Sequence, residues 1–260
     1  MAPPTSAAPP EGDDRPMPLV EHLRELRRRL LVILGCTAAT LIITWTFSER
    51  VVSFITRPVL PYIKQLQFDT LTDPFFSHFK AALYAAIFFN VPVILFETWR
   101  FVAPGLYKNE RRISVPFLLL SFPLFVGGAL FCYTTVFPAA VSYLVQFDPT
   151  LVPSLRIGDY ISFTLTLMSI FGLVFEMPLV SLLLTRMGFL TPEFLSRNRR
   201  YAVLLIFVFA GVITPTPDAF TQILLAGPML VLYEISVVIS RLARPRPAGG
   251  ASSQDKPRAA

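Results

Sequence analysis

Charged side chains are scarce in this sequence. They make up 15% of the 260 residues, while hydrophobic residues make up 53%. An ordinary soluble domain carries roughly 25% charged residues. The shortage of charge therefore excludes an ordinary soluble domain and predicts a membrane protein.

Cysteine and histidine are also rare, with two residues of each. Cys36 and Cys132 fall within long apolar stretches, where a thiol packs as a small hydrophobic group, and two such residues define neither a disulfide framework nor a metal site. His22 and His78 are predicted on opposite sides of the membrane, which excludes a shared site. The sequence also has no internal repeat, no phosphate-binding glycine loop and no metal-ligand spacing. We therefore expect no metal and no cofactor.

What the sequence has instead is long stretches without charge. A hydrocarbon core about 30 Å thick is crossed by roughly 20 helical residues, and in lipid a helix is the only open-chain structure that pairs its own backbone groups. Six stretches, the fourth interrupted by one glutamate, predict an all-α polytopic membrane protein. The fifth is short, because Tyr201 to Ile213 covers only about 20 Å as a helix, so we expect a thinned bilayer or a re-entrant last hairpin there. The stretches are 30–48, 81–96, 113–147, 160–185, 201–217 and 219–233.

The basic residues fall mainly on one predicted side of the membrane. Of the 23 lysines and arginines, 18 lie in the two terminal segments and in the loops after the second and fourth spans. This asymmetry predicts that both termini are cytoplasmic. Because the basic residues are split among separate loops, we expect no nucleic-acid partner. Residues 1–16 and 244–260 are predicted to be disordered tails on either side of one transmembrane domain, residues 17–243.

One carboxylate, Glu176, lies in the middle of the fourth stretch. A charge at membrane depth is costly unless it faces a cavity or a partner. We therefore expect Glu176 to point into a concave face, where it is protonated or bonds a polar group on a partner helix. A purely structural bond to a neighbouring span is the alternative.

The segment before the first span has one apolar helical stripe. Leu19, Leu23, Leu26 and Leu30 are spaced by four, three and four residues. This spacing predicts an amphipathic helix that lies along the cytoplasmic face before it turns into the first span. Pairs between its glutamates and its arginines three or four residues away are the simplest explanation of its charges.

The loop after the second span, WRFVAPGLYKNERR, mixes apolar and acidic residues. A merely connecting loop at a membrane surface favours polar and basic side chains, whereas this one presents Phe101, Leu106 and Tyr107 beside Glu110. It is a candidate peptide-binding surface. An interfacial aromatic anchor beside an ordinary ion pair is the alternative.

Prolines and polar residues mark the later spans. Prolines in most of the spans predict kinked helices that enclose a concavity. After the fifth span, the stretch ITPTPDAFTQILL gathers Thr214, Asp218, Thr221 and Gln222 at the outer end of the last hairpin. These groups either bond a partner helix or belong to a solvated turn.

Four motifs together resemble the TatC family, the core receptor of the twin-arginine protein translocase. They are HLRELRRRL from His22, FVAPGLYKNERR from Phe101, FGLVFEMP from Phe171 and TPTPDAFTQ from Thr214, and they follow the family's order and loop lengths over about residues 17–243. The resemblance implies six kinked helices in a concave, glove-like arrangement in the bacterial cytoplasmic membrane. It implies a receptor, not an enzyme, that binds signal peptides with paired arginines and exports folded proteins with the protonmotive force. It further implies a multimeric complex with small single-span TatA-type and TatB-type partners.

The resemblance also implies a signal-peptide site. A carboxylate pair for the twin arginines falls on Glu25 and Glu110. Two guanidinium groups need acceptor oxygens in fork geometry, and two carboxylates at a partly desolvated interface supply these better than water does. The other residues that the resemblance places at this site are Arg27, Phe101, Pro104, Leu106, Tyr107 and Arg111.

Two further regions carry implied roles. Thr214, Asp218 and Gln222 fall where the partner helices of the family dock. Pro58 matches a proline of the family's first outer loop, whereas the acidic position of that loop is poorly matched, since Thr70 stands there between two aspartates.

Two other classes of function compete with the receptor. A secondary transporter for a small solute would also bury Glu176 between kinked helices, but such folds usually show inverted repeats, and the two halves of this sequence show no symmetry. An intramembrane hydrolase needs catalytic groups at one depth. Glu176 lies deep in its span, while Asp218 and Glu234 lie near opposite ends of the last helix, so no carboxylate pair forms.

Overall fold

The computed structural model describes residues 19–63, 66–102, 114–147, 154–214 and 218–243. Within these ranges the regular structure is helical, apart from one isolated bridge between Gln67 and Arg156. Both predicted tails lie outside the described residues. The helices are α1 (Leu19–Thr46), α2 (Ser48–Thr56), α3 (Asp73–Val102), α4 (Ser114–Phe131), α5 (Phe137–Gln146), α6 (Ile157–Phe175), α7 (Met177–Arg186), α8 (Pro192–Arg197), α9 (Arg199–Ile213) and α10 (Ala219–Ala243), with a π-helical turn, Cys132–Val136, between α4 and α5.

The helices form the six predicted spans. Five helical segments are long and apolar enough to cross a membrane: α1, α3, α4 with α5, α6 with α7, and α10. The remaining span is α9, which has 15 residues and is therefore about 22 Å long. The prediction of an all-α protein with six spans and a short fifth span is confirmed.

Helix α1 runs unbroken for 28 residues. The prediction that an amphipathic segment lies along the membrane face and then turns into the first span is wrong. The sequence contains no proline between Leu19 and Thr46, so nothing interrupts the backbone hydrogen bonds at the expected turn. At about 42 Å, α1 is longer than the hydrocarbon core, and its charged first turns extend beyond it.

Prolines interrupt the other long helices. Pro92, Pro123 and Pro228 lie inside α3, α4 and α10. Pro178 lies in the first turn of α7, and Glu176 occupies the break between α6 and α7 as the last cap of one helix and the first cap of the next. A proline lacks the N–H that would continue the ladder, so the chain changes direction near these sites.

The main packing contacts arrange the helices in a row. Helix α1 packs on α3, α3 packs on α4 and α6, and α4 packs on α6; beyond these, α7 packs on α10 and α10 packs on α9. Helices α1 and α9 therefore stand at the two ends, with many large apolar side chains exposed to the surroundings. Among the described residues, α3, α4 and α6 contact one another and α1 has no main contact with α9, and we call this arrangement of helices the wall.

Glycines allow α4 and α6 to approach closely. A Cβ on Gly128 would lie 2.6 Å from the carbonyl oxygen of Phe171, and a Cβ on Gly172 would lie 2.7 Å from the ring of Phe125. Small residues at helix contacts permit close packing in membranes, where the hydrophobic effect does not drive helices together. This contact fixes the fourth span against the third and so positions Glu176.

The connection before α3 and the connection before α6 are joined to each other. The backbone N–H of Gln67 donates to the carbonyl of Leu155 at 2.9 Å, and the N–H of Ile157 donates to the carbonyl of Gln67 at 2.8 Å. Asp69 pairs with Arg156 at 2.8 Å. These bonds hold the chain before α3 against the chain before α6.

We expect Gly128→Ala to lower the free energy of unfolding by about 1–3 kcal/mol, because a backbone oxygen cannot move aside as a flexible side chain can. Gly127→Ala is the matched control in the same helix, since nothing lies within 4 Å of the position that its methyl group would take; that variant should unfold no more easily than the parent chain. Thermal unfolding in detergent measures both. Equal midpoints for the two variants would contradict the close α4–α6 contact.

Candidate functional site

An ionic cluster joins α1 to α3 at the charged end of α1. Nη1 of Arg29 donates to Oε2 of Glu97 at 3.0 Å, and Nε of Arg29 donates to Oε1 of Glu25 at 3.2 Å. Nη2 of Arg29 contacts the same oxygen of Glu25. One guanidinium thus holds two carboxylates, one four residues earlier on its own helix and one on the neighbouring span.

The cluster is only partly open to solvent. The side chains of Arg29 and Glu97 are 13% and 11% exposed, whereas that of Glu25 is 23% exposed. Both bonds from Arg29 to Glu25 go to Oε1, and Oε2 of Glu25 receives no hydrogen bond from the described residues. The most exposed carboxylate of the cluster therefore keeps one acceptor oxygen to which no described residue donates.

Phe101 lies beside this cluster. Its ring stacks on the imidazole of His22, with ring centroids 4.2 Å apart and planes 18° apart. His22 is three residues before Glu25 on α1, so the stack places the last turn of α3 close to the ionic cluster. Arg27 is exposed on α1. Five predicted site residues lie outside the described part of the chain: Pro104, Leu106, Tyr107, Glu110 and Arg111.

The described residues include only half of the predicted carboxylate pair. Phe101 contacts His22, which lies one helical turn from Glu25, and the pairing of Glu25 with Glu110 stays a prediction. The intrahelical ion pair expected from the spacing of Glu25 and Arg29 is present. Sequence analysis missed Glu97, since only the fold brings it to Arg29, 68 positions earlier.

Glu176 is buried and faces α4. Its residue is 6% exposed, and Oγ of Ser121 donates to its Oε2. Its Oε1 is also buried, and no hydrogen bond reaches it from the described residues. The alternative of a structural bond to a neighbouring span is thus present.

Several polar side chains of the last hairpin form hydrogen bonds within the chain. Nε2 of Gln222 donates to the carbonyl of Phe207 at 2.9 Å, and the hydroxyl of Thr214 donates to the carbonyl of Ala210 at 3.1 Å. Oδ1 of Asp218 accepts from the N–H of Thr221 at 2.7 Å, which caps the start of α10. The hydroxyl of Thr221 is buried and forms no hydrogen bond within the described residues.

Hydroxyl groups join α7 to α10 along one face of each helix. The hydroxyls of Thr185 and Ser240 lie 2.6 Å apart, and Ser181 donates to the carbonyl of Ser236 at 3.3 Å. These four residues repeat at intervals of four on both helices, so the contact follows one face of each. The contact was not predicted from the sequence, although the spacing of small hydroxyl residues could have indicated it.

In the loop between α2 and α3, predicted to lie outside, Asp73 bonds the backbone of its own loop. Asp73 accepts hydrogen bonds from the backbone N–H groups of Asp69 and Thr70 at 3.0 and 3.1 Å. Pro58 lies half-buried in the turn after α2. The role that the resemblance implies for this loop stays a prediction.

Comparison with known proteins decides the family. The family model described as Sec-independent protein translocase protein (TatC) matches residues 21–228. The chain belongs to the TatC family. Curated TatC proteins include that of Aquifex aeolicus (strain VF5), 40% identical over 232 residues, with 87% of this chain and 96% of the relative covered. The Carboxydothermus hydrogenoformans TatC is 36% identical over 239 residues, with 92% of this chain and 98% of the relative covered.

A solved structure agrees with this assignment. The crystal structure of a twin-arginine translocase receptor, TatC, matches with a TM-score of 0.76 and 39% sequence identity, covering 85% of this chain and 99% of that one. The resemblance inferred from the four motifs and the predicted six-helix fold class are both confirmed. TatC relatives are protein translocase components, so the transporter alternative loses its basis.

We expect Glu176→Gln to keep most protein export, because the amide still accepts from Ser121, and Glu176→Leu to lose part of it by removing that bond. Ser121→Ala is the matched variant on α4 and should resemble Glu176→Leu. Export of a precursor protein in cells that depend on this chain measures all three. Full export by all three variants would show that Glu176 has no role in export beyond helix packing.

Proposed function

We propose that this chain is the receptor and core component of a twin-arginine translocation complex in the bacterial cytoplasmic membrane. In this role it binds signal peptides with paired arginines, and the complex exports folded proteins with the protonmotive force. The role is binding, not catalysis. The observation that carries the proposal is the partly exposed Glu25, which Arg29 holds by one oxygen while the other accepts from none of the described residues.

The chemistry of this carboxylate suits an arginine ligand. A guanidinium is planar and donates along fixed directions, so it discriminates between a carboxylate held in one orientation and one that rotates freely. The contact of Arg29 with Oε1 limits the rotation of Glu25. Glu110 is proposed as the acceptor for the second arginine, with Phe101 and the apolar residues of its loop packing around the peptide.

The apolar part of a signal peptide needs a hydrophobic surface at membrane depth. A cavity of about 510 Å³ lies between the fourth span, α9 and α10, and nearly all of its lining is apolar. Leu173, Met177 and Phe209 are among its exposed lining residues. We propose that this groove accommodates a hydrophobic helix. That helix belongs either to the signal peptide or to a small partner subunit.

We also propose that single-span TatA-type and TatB-type subunits dock near Thr214, Asp218 and Gln222. The buried hydroxyl of Thr221 in the same region forms no hydrogen bond within the described residues. Donors and acceptors without partners in a membrane favour the approach of a polar group from a second helix. Several such contacts per chain would make a multimeric complex.

The proposed orientation places both termini in the cytoplasm, because most lysines and arginines then lie inside. In a cysteine-free background, single cysteines at Asn109 and Asn198 should be labelled only from the cytoplasm, and those at Gln67 and Pro153 only from outside. Membrane-impermeant maleimide on intact and opened cells measures this. Labelling of position 198 in intact cells would contradict the six-span topology.

The receptor site is tested from both sides of the contact. Replacing the paired arginines of a signal peptide by lysines should weaken binding although the charge is unchanged, since an ammonium cannot form two parallel bonds. Glu25→Ala and Glu110→Ala should each weaken binding roughly ten- to a hundredfold, which is the loss expected for a charge-assisted hydrogen bond of about 1.5–3 kcal/mol. Photo-crosslinking of a precursor in solubilised membranes measures the effect.

Assembly with the small partners is the internal control for these variants. Thr214 and Gln222 are predicted near the opposite membrane surface, so co-purification of the partners should persist in the Glu25→Ala, Glu110→Ala double variant. Undiminished precursor crosslinking to that double variant would remove the carboxylate pair from the recognition site.

A further inference from the structure

The charge of the ionic cluster depends on Glu97. Glu25 and Glu97 are two carboxylates that share the one guanidinium of Arg29, so together the three groups carry a net charge of −1. Arg100 is also near, with its Nη1 3.9 Å from Oε1 of Glu97, but its side chain is 57% exposed and its charge is strongly screened by solvent.

We propose that Glu97 is a positioning residue of the signal-peptide site, which acts by keeping Arg29 from neutralising Glu25. This inference rests on the proposed receptor function and extends it to a residue on the second span. Glu97 does not need to touch the peptide. It accepts the hydrogen bond from Nη1 of Arg29. Glu25 therefore lies in a negative local potential, and its Oε2, to which no described residue donates, is left for an incoming arginine.

The geometry explains why a single acid would not suffice. Without the charge of Glu97, Arg29 and Glu25 form a neutral pair, and an incoming guanidinium meets a positive group beside its acceptor. Nη1 of Arg29 then also prefers the charged Oε2 of Glu25 over a neutral acceptor, because hydrogen bonds to ionised groups are stronger. Arg29 would compete for the oxygen from its own helix, at a high effective concentration.

Burial makes this charge balance effective. Arg29 and Glu97 have side chains only 13% and 11% exposed, and pairs that solvent reaches poorly are screened little by salt. A nearby change of one charge therefore alters the potential at Glu25 more than the same change on the surface would. The arrangement lets a helix that carries many arginines present a site that attracts arginine.

A simpler role for Glu97 is to tie α3 to α1 as a structural link. The two roles differ in what happens when the arginine is removed as well. As a structural link, the contact is weakened in Glu97→Gln, whose amide oxygen still accepts from Arg29, and is weaker still in the Arg29→Gln, Glu97→Gln double variant, so the double variant should bind no better than the single one. If the charge balance matters, the double variant leaves Glu25 alone with its charge of −1 and should recover binding.

The experiment uses the full chain in lipid nanodiscs and a fluorescent synthetic peptide with paired arginines. We expect Glu97→Gln to raise the Kd about tenfold, or about 1.4 kcal/mol, and the double variant to return to within about threefold of the parent chain. Glu234→Gln is the matched control, because Glu234 pairs with Arg199 at 2.8 Å on an exposed surface away from the cluster. Its Kd should not change.

The outcomes separate this inference from the function on which it rests. If the parent chain binds peptides with paired arginines and paired lysines equally well, the receptor proposal fails. If the parent chain discriminates between the peptides but Glu97→Gln binds as tightly as the parent, the role of Glu97 is overturned. A double variant that binds as weakly as Glu97→Gln, with the same thermal midpoint, would also overturn it in favour of a structural link.

Discussion

The hydrocarbon core offers no water, and this constraint governs where the chain can place polar groups. A buried donor or acceptor without a partner costs roughly 1–3 kcal/mol, so most polar side chains at membrane depth bond within the protein. Ser121 donates to Glu176, and Thr185 contacts Ser240. Such bonds tie α4 to the fourth span and α7 to α10, and they turn a row of helices into a wall of fixed shape.

Few buried polar atoms of the described residues lack a hydrogen bond. Oε1 of Glu176 and the hydroxyl of Thr221 are buried without hydrogen bonds from the described residues. A transport receptor assembles and releases its partners, so some interhelical contacts must form between chains. Both atoms are enclosed by the chain's own side chains, so a partner helix reaches them only if those side chains rearrange.

Much of the fold follows from the sequence because the thickness of the membrane sets the length of each span. Charge gaps give the spans, and the loop arginines give the predicted orientation. The course of each helix and the contacts between helices do not follow from the sequence in this way. The sequence predicted a turn before the first span, but without a proline the helix of α1 simply continues. Glu25 and Glu176 can be recognised from the residues next to them in the sequence. Glu97 contacts Arg29 only because α3 packs on α1, and no local sequence pattern predicts that packing.

In the proposed receptor, the arginine-rich start of α1 poses an electrostatic problem, and we propose that the ionic cluster solves it. Basic residues at this end suit the anionic lipid surface, yet they would repel a ligand that carries two arginines. A single glutamate among them is neutralised by its i+4 arginine, which is the usual fate of such a pair on a helix. A second carboxylate from the neighbouring span restores the negative balance without removing a surface arginine. The contact between α1 and α3 is thus both a packing contact and the source of the local charge at Glu25.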